Sequence, residues 1–269
     1  MVIDLRLPFG EEEWMAAGKP LAIVTPSVGT NHIDMNFFKK MGVRVYTLLD
    51  DREGYNQIRA SSEFTFLLLL LGLRGGPQIF GTRHRGEPGN ELYRKQVGII
   101  GFGRIGKNME RWCEAFGAEV AIYDPHNGYL YWSLEDLFRE SDAVVVCCSL
   151  NDETRHMIGK ALLETLKPGA VFVNTSRGAV LVEEELIEVV RARPDLRVML
   201  DVLEGETEWR HLNSPLWNLA TVSPHVAGHT VESEFKARNI AKQLLNHAKL
   251  STVLDIHSSR INLMSKLEE

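Results

Sequence analysis

An arginine, an acidic stretch and a histidine in the second half of the chain could bind an anion and transfer a proton. Arg177 and His225 each follow an apolar run, and a third apolar run precedes the stretch Asp201–Glu206. An arginine holds a carboxylate through a planar pair of donors and polarises a neighbouring carbonyl. A histidine donates a proton near neutral pH, and a carboxylate on its other ring nitrogen fixes its tautomer and stabilises the protonated ring. The set therefore suits protonation of a carbonyl oxygen beside a substrate carboxylate.

A glycine-rich turn predicts a dinucleotide site. Gly101, Gly103 and Gly106 follow an apolar run at 97–100 and open a helical pattern. In such a motif the glycines allow a tight turn, leave room for a pyrophosphate and let the helix pack closely on the strand, while the helix N-terminus offers free N–H groups. A second apolar run ends at Asp124, whose carboxylate can accept ribose hydroxyls and would repel a 2′-phosphate. We therefore expect NAD rather than NADP.

Alternating strands and helices are predicted to position these residues. Six apolar runs predict strands at 97–100, 119–123, 143–148, 170–174, 197–201 and 220–223, with helices at 105–116, 134–139, 160–166 and 183–192. This alternation is typical of an α/β fold with a doubly wound parallel sheet of the Rossmann type. Ligands bind at the carboxyl ends of such strands, so the arginine, an acid and the histidine should meet there. Each of the three alone is also consistent with a structural role, and only their joint placement predicts a hydride-transfer site for a 2-keto acid.

A second, smaller α/β domain is predicted at the start of the chain. The further predicted elements are strands at 21–25 and 43–47, helices at 11–17, 33–41, 58–73 and 230–248, and a polar loop at 50–54. The polar, Gly/Pro-rich stretch 81–95 is the best candidate for a linker. Residues 1–76, completed by 246–269, are therefore expected to form a substrate-binding domain, and residues 77–245 the NAD-binding domain.

Composition excludes several classes of protein. The chain has 269 residues, enough for two domains, and a net charge of −6, which gives no electrostatic footprint for nucleic acid. Cys147 and Cys148 lie in an apolar run and give no metal-ligand spacing, so we expect buried, reduced thiols and no metal. No signal peptide is apparent, and the apolar segment Phe64–Leu73 is too short to cross a bilayer. A cytoplasmic protein without membrane contact is expected.

The motifs resemble one family. They are V-G-I-I-G-F-G-R-I-G at 97–106, V-N-T-S-R-G-A-V-L at 173–181, L-D-V-L-E-G-E at 200–206, S-P-L-W at 214–217 and S-P-H-V-A-G-H-T at 223–230. From about Pro26 onward the chain is similar to the D-isomer-specific 2-hydroxyacid dehydrogenases. This resemblance implies that Arg177 binds substrate, that Glu206 is the acid of the catalytic pair and that His225 is the proton donor. It also implies that the amides of Val28 and Gly29 receive the substrate carboxylate.

The resemblance further implies a set of NAD-binding positions and some departures. The positions are Gly101, Gly103, Arg104, Ile105, Gly106, Asp124, Thr154, Thr175, Asp201 and Gly228. Only 26 residues precede the loop at 27–34, where the family has several tens more, so a reduced flavodoxin-like substrate domain is expected. Thr207 replaces the family's usual proline, and Ser149–Asn151 lacks its usual proline and first threonine. None of these departures removes a catalytic group.

Three functions remain open at this stage. The leading hypothesis is an NAD-dependent dehydrogenase that interconverts a small 2-keto acid and its D-2-hydroxy acid, paired as a homodimer through its cofactor domain. The second is an NAD-binding interaction or regulatory module with little or no turnover, which the short N-terminal segment favours. The third is a hydrolase that uses bound NAD internally, which the order Arg177, Glu206, His225 fits less well.

Overall fold

The computed structural model describes residues 1, 3, 7–80, 88–128, 132–206 and 208–265, with side chains to residue 248. In chain order, the helices and strands are α1 (Glu11–Ala16), β1 (Ala22–Val24), α2 (Met35–Lys40), β2 (Arg44–Tyr46), α3 (Arg52–Asn56), α4 (Ala60–Leu73), β3 (Gln96–Ile100), α5 (Arg104–Ala115), β4 (Glu119–Tyr123), α6 (Leu134–Glu140), β5 (Ala143–Val146), α7 (Lys160–Leu163), β6 (Val171–Asn174), α8 (Glu183–Ala192), β7 (Arg197–Leu200), α9 (Leu216–Leu219), β8 (Thr221–Val222) and α10 (Val231–Ser265). They form two compact units, one of residues 1–58 and 230–269, the other of residues 59–229.

The larger unit contains a six-stranded parallel sheet in the order β4-β3-β5-β6-β7-β8. On one face, Val97 and Ile99 of β3 pack with apolar side chains of α4 and α5. On the other face, Ile100 packs with apolar side chains of α6, α7 and α8. The doubly wound Rossmann-type sheet that the alternating pattern predicts is therefore confirmed. The first crossover leads from β3 to β4 on one side of it, and the next leads from β4 to β5 on its other side, so the strand order reverses at β3. A ligand is expected at the carboxyl end of the sheet where this reversal occurs.

The smaller unit is also α/β, and its described sheet has two parallel strands. Ile23 of β1 lies opposite Val45 of β2. Val24 and Tyr46 pack with a stripe of α10 that includes Ala241. This apolar stripe packs α10 against β1 and β2 within the smaller unit.

The compact units meet at 58/59 and 229/230 in the chain, whereas the domain boundaries expected from the sequence are 76/77 and 245/246. Helix α4 packs so closely on the larger sheet that a Cβ on Gly72 would lie 2.5 Å from a methyl carbon of Val171. Since α4 is buried there, the division falls before it, after residue 58. Similarly, α10 packs on β1 from its first turns, so the second division falls at 229/230.

Three local expectations differ from the structure. The predicted loop at 50–54 overlaps α3, which begins at Arg52, because the Asp51 carboxylate caps this short helix by accepting the Gly54 N–H at 3.1 Å. Helix α10 continues past residue 248 to Ser265. In the predicted linker, residues 88–95 are fixed on the larger unit, where Leu92 is buried and the Asn90 N–H donates to the Leu73 carbonyl. Residues 81–87 of that linker, and Thr207, lie outside the described residues.

Over the described residues, no helix is both long and apolar enough to span a membrane.

Candidate active site

The glycine-rich turn between β3 and α5 is shaped by close backbone contacts. Gly101 has a φ of 91°, and a Cβ there would lie 2.5 Å from the backbone nitrogen of Cys148. A Cβ on Gly106 would lie 2.2 Å from the Gly101 carbonyl oxygen. By contrast, a Cβ on Gly103 would meet no atom within 4 Å. Two glycines are therefore required by the fold, whereas the third keeps open the space in front of the helix.

Asp124 lies at the end of β4 and is tied to this turn. Its carboxylate accepts the Phe102 N–H at 2.6 Å, the Asn127 N–H at 3.1 Å and the Asn127 side-chain amide at 2.8 Å. Burial by itself would raise the pKa of Asp124, but these hydrogen bonds outweigh it and hold the pKa below its ordinary value. Asp124 is therefore a carboxylate fixed against the glycine-rich turn.

These features fit a dinucleotide. Gly103 is the N-cap of α5, which begins at Arg104, and this N-cap forms no side-chain hydrogen bond. The backbone N–H groups of a helix N-terminus can bind a pyrophosphate, and an ionised acid at the end of the second strand can accept ribose hydroxyls. The open space at Gly103 lies where the pyrophosphate would approach.

The cysteines beside this turn are free thiols. Cys113 is buried, whereas Cys147 and Cys148 are half-buried, so the expectation of fully buried neighbours holds only in part. Burial raises the pKa of Cys148 to about 12. At neutral pH the thiol is therefore protonated and a poor nucleophile.

Arg177 lies in the loop that leaves β6. The Asn174 side chain shapes this turn, since its Nδ2 donates to the Arg177 carbonyl at 3.0 Å and its Oδ1 accepts the Ser176 N–H at 3.0 Å. The Arg177 side chain is partly buried, and its Nη1 donates to the Ser176 carbonyl at 2.6 Å. The guanidinium is thus held at the carboxyl end of the sheet by its own turn.

Glu206 and His225 form a hydrogen-bonded pair, although they follow different strands. Glu206 Oε2 lies 2.6 Å from His225 Nδ1, and Glu206 Oε1 accepts the Leu203 N–H at 3.0 Å. Burial would raise the pKa of Glu206, but the hydrogen bond and charge of His225 hold it below its ordinary value. An ionised carboxylate can only accept, so Nδ1 is the donor and Nε2 is left for proton transfer.

Asp201 fixes the loop that carries His225. The buried Asp201 carboxylate accepts the Ser223 hydroxyl at 2.6 Å and the N–H groups of Val226 and Ala227, each at 2.9 Å. His225 itself has a φ of 53°, in the left-handed region that side chains other than glycine rarely adopt. Such a conformation persists only where neighbouring contacts fix it, and these hydrogen bonds do so on both sides of His225.

The other predicted site residues have these surroundings. Thr175 is buried, with its hydroxyl 2.6 Å from that of Thr65 in α4. Thr154 closes its own loop, because its hydroxyl donates to the Ser149 carbonyl at 2.7 Å. Gly228 lies near Ser61, whose hydroxyl oxygen would be 3.5 Å from a Cβ there. Their contacts with NAD remain predictions.

Val28 and Gly29 lie in the smaller unit, in the loop after β1. The Ser27 hydroxyl donates to the Gly29 carbonyl at 2.7 Å and is 2.8 Å from the Thr25 hydroxyl, so the loop has a defined turn. Their contact with substrate stays a prediction.

Sequence reasoning missed Asn174 and the structural role of Asp201. Asn174 is the last residue of β6 and is fully buried. A polar residue that ends an apolar run is a signal for a shaped turn, and its position three residues before Arg177 could have revealed it.

Comparisons with known proteins agree with this geometry. Residues 75–227 match the family model described as "D-isomer specific 2-hydroxyacid dehydrogenase, NAD binding domain". The erythronate-4-phosphate dehydrogenase of Escherichia coli is 31% identical over 249 residues, which cover 88% of this chain and 60% of that protein. The chain thus belongs to the D-isomer-specific 2-hydroxyacid dehydrogenase family, and its cofactor is NAD.

Solved structures support the same fold. An NAD⁺-bound 3-phosphoglycerate dehydrogenase of Entamoeba histolytica matches with a TM-score of 0.73 and 27% identity, over 88% of this chain and 75% of that one. A D-lactate dehydrogenase of Aquifex aeolicus, with NAD and lactic acid, matches with a TM-score of 0.73 over 95% and 83% of the two chains. At 24% identity, the latter speaks for the fold alone.

Proposed function

We propose that this protein is an NAD-dependent dehydrogenase that interconverts a small 2-keto acid and its D-2-hydroxy acid. The observation that carries the proposal is the 2.6 Å pair between Glu206 and His225 Nδ1, at the same carboxyl edge of the sheet as a turn that fits NAD. A buried structural histidine would not need a left-handed backbone, and His225 is exposed. The pair instead has the form of a proton donor that is oriented by a carboxylate.

Each catalytic residue has one task. When bound, NAD supplies or accepts the hydride at the substrate's C2. Arg177 binds the substrate carboxylate and polarises the keto oxygen. In the reductive direction His225 donates the Nε2 proton to that oxygen, and Glu206 stabilises the protonated ring from Nδ1. In the oxidative direction His225 takes the hydroxyl proton back. From the family resemblance we also propose that the amides of Val28 and Gly29 bind substrate.

The substrate is a small 2-keto acid with or without a phosphate. The relatives include enzymes named for erythronate 4-phosphate and 3-phosphoglycerate, and both of these compounds carry a phosphate. A panel of glyoxylate, pyruvate, hydroxypyruvate, bulkier keto acids and a phosphorylated keto acid, assayed with NADH by absorbance, tests the proposal. Turnover of any of them at ordinary enzyme levels supports it.

The alternative, an NAD-binding module without turnover, gives a different result with the same panel. If the protein is such a module, calorimetry should show tight NADH binding, and no keto acid should cause oxidation of NADH. Glu206→Gln separates the two further, because only an enzyme loses a rate when the carboxylate of the pair is neutralised.

We also propose a homodimer through the NAD-binding unit. Leu67, Tyr93 and Phe116 expose more than half of their surface on and beside α4 and α5, and Tyr93 and Phe116 border a cavity of about 420 Å³. Leu67→Glu should convert dimer to monomer in light scattering. Met41→Glu, at an equally exposed position in the smaller unit, should leave the mass unchanged.

A further inference from the structure

Glu206 lies in an irregular loop that needs an external support. This Glu206 loop, residues 203–206 and 208–214, connects β7 to α9 and contains one short 3₁₀ turn, Arg210–Asn213. Gly205 and Trp209 have positive φ values of 76° and 60°. Within the loop, the Arg210 N–H donates to the Gly205 carbonyl at 2.9 Å. The Trp209 N–H also donates to the Glu206 carbonyl at 3.2 Å, so the backbone at Glu206 is held by an isolated turn and not by a helix or a strand.

One carboxylate outside the loop holds both of its ends. Glu183 Oε2 accepts the Glu204 N–H at 2.9 Å, and Glu183 Oε1 accepts the Ser214 hydroxyl at 2.5 Å. Glu183 lies in the first turn of α8, a helix anchored in the core by Leu186 and Val189. The carboxylate thus connects a rigid element to residues on either side of Glu206.

Two further contacts converge on the same end of the loop. His156 Nε2 lies 3.0 Å from Glu204 Oε1. A Cβ on Gly178 would lie 2.0 Å from the Leu203 carbonyl carbon, so the backbone after Arg177 is in direct contact with the loop. Leu203 in turn donates its N–H to Glu206. A displacement of Glu204 would therefore also move Leu203, whose N–H holds the Glu206 carboxylate.

We infer that Glu183 is a positioning residue of the reaction, which keeps the Glu206 carboxylate on His225 Nδ1 by fixing both ends of the Glu206 loop. The inference rests on the proposed function. Glu183 does not touch the reacting atoms and acts through Glu206 alone. A misplacement of about 1 Å at a catalytic group costs up to about a hundredfold in rate.

The test compares three substitutions in the full-length protein. Glu183→Ala removes both contacts and should lower kcat by about ten- to a hundredfold, with the Kd for NADH unchanged. Glu183→Gln should restore most of the rate, because its carbonyl can accept the Glu204 N–H and its amide can donate to the Ser214 hydroxyl. Glu184→Ala, an exposed neighbour in the same helical turn, is the matched control and should have no effect.

A double mutant separates positioning from general destabilisation. If Glu183 acts through Glu206, Glu183→Ala should add little to the loss already caused by Glu206→Gln. Multiplicative losses would overturn the inference, as would a Glu183→Ala enzyme with wild-type kcat. If Glu183→Ala does not fold, Ser214→Ala, which removes one of the two contacts, takes its place in the same cycle with a smaller expected loss.

Hydrogen–deuterium exchange tests the loop without any activity. Glu183→Ala should speed exchange of the amides in the Glu206 loop, whereas Glu184→Ala should not. If the wild-type protein turns over no keto acid but this difference is seen, the proposed function fails while the support of the loop by Glu183 stands. Unchanged exchange would reject the inference whatever the activity.

Discussion

The two halves of the site in the larger unit are built by opposite means. The cofactor half lies within one continuous stretch, from Gly101 to Asp124, and two of its glycines are needed because a side chain would collide with backbone. The catalytic half joins Arg177, Glu206 and His225 from three loops. There, buried or partly buried carboxylates and an amide accept or donate hydrogen bonds that fix each loop.

This difference predicts which substitutions should impair each half of the site. The cofactor half should be sensitive to added atoms, since it depends on close approach. The catalytic half should be sensitive to lost hydrogen bonds, since its loops have little regular structure of their own. Substitutions that change one property at a time test the contrast.

The largest effect is expected at His225. His225→Ala should lower kcat by about 10²–10⁴-fold, the usual contribution of a general acid, while the Kd for NADH changes little. Stopped-flow and steady-state measurement of NADH oxidation, with fluorescence titration of NADH, checks both parts. Full activity on the best substrate of the panel would remove His225 from its assigned role.

Asp201→Asn should come next and affect the catalytic half through its loop. An amide in place of the carboxylate turns one acceptor into a donor, so the N–H of Val226 or Ala227 is left unpaired in a buried place. We expect the free energy of unfolding to fall by about 1–3 kcal/mol, together with a fall in kcat. Ser223→Ala, which removes a single donor, should have the smaller effect in both urea unfolding and kinetics.

Two alanine substitutions should distinguish a glycine that the fold requires from a glycine that NADH binding requires. Gly106→Ala places a methyl group against the Gly101 carbonyl and should lower the free energy of unfolding by about 1–3 kcal/mol. Gly103→Ala meets no protein atom and should leave stability unchanged while weakening NADH binding. Equal thermal stability of the two variants would contradict the division of roles.

The smallest effect is expected from mild acid. Since the pKa of Glu206 lies below its ordinary value of about 4.3, its carboxylate should stay ionised, and kcat for reduction should not fall between about pH 7.5 and 5.5. A folded-state pKa below the unfolded one means that ionised Glu206 adds to stability above the unfolded pKa, and that this contribution is lost as pH falls through the folded pKa. In urea unfolding, the wild-type protein should therefore have a higher free energy of unfolding than Glu206→Gln, and this difference should decrease only below the ordinary pKa of a glutamate. A decrease of this stability difference already near neutral pH would contradict a lowered pKa of Glu206.

Much of the fold was readable because its signals are local. Apolar runs of four to six residues separated by helical patterns predicted every strand of the larger sheet, and β3 and β4 were placed to within a residue. Short polar elements were less readable, since α3 depends on one cap at Asp51. The compact units differ from the expected domains around α4, because burial of α4 at Gly72 depends on a strand about a hundred residues later in the chain.

The sequence by itself determined the cofactor turn, because residue type and spacing along one strand–helix–strand unit suffice for that. Its later motifs, through their resemblance to one family, named the three catalytic candidates. The tertiary structure showed the 2.6 Å contact between Glu206 and His225, and it alone decided that Asp201 anchors the histidine loop. It also placed Glu183 across the Glu206 loop. Such contacts join residues far apart in the chain, and their distances depend on how whole elements pack, which no local pattern encodes.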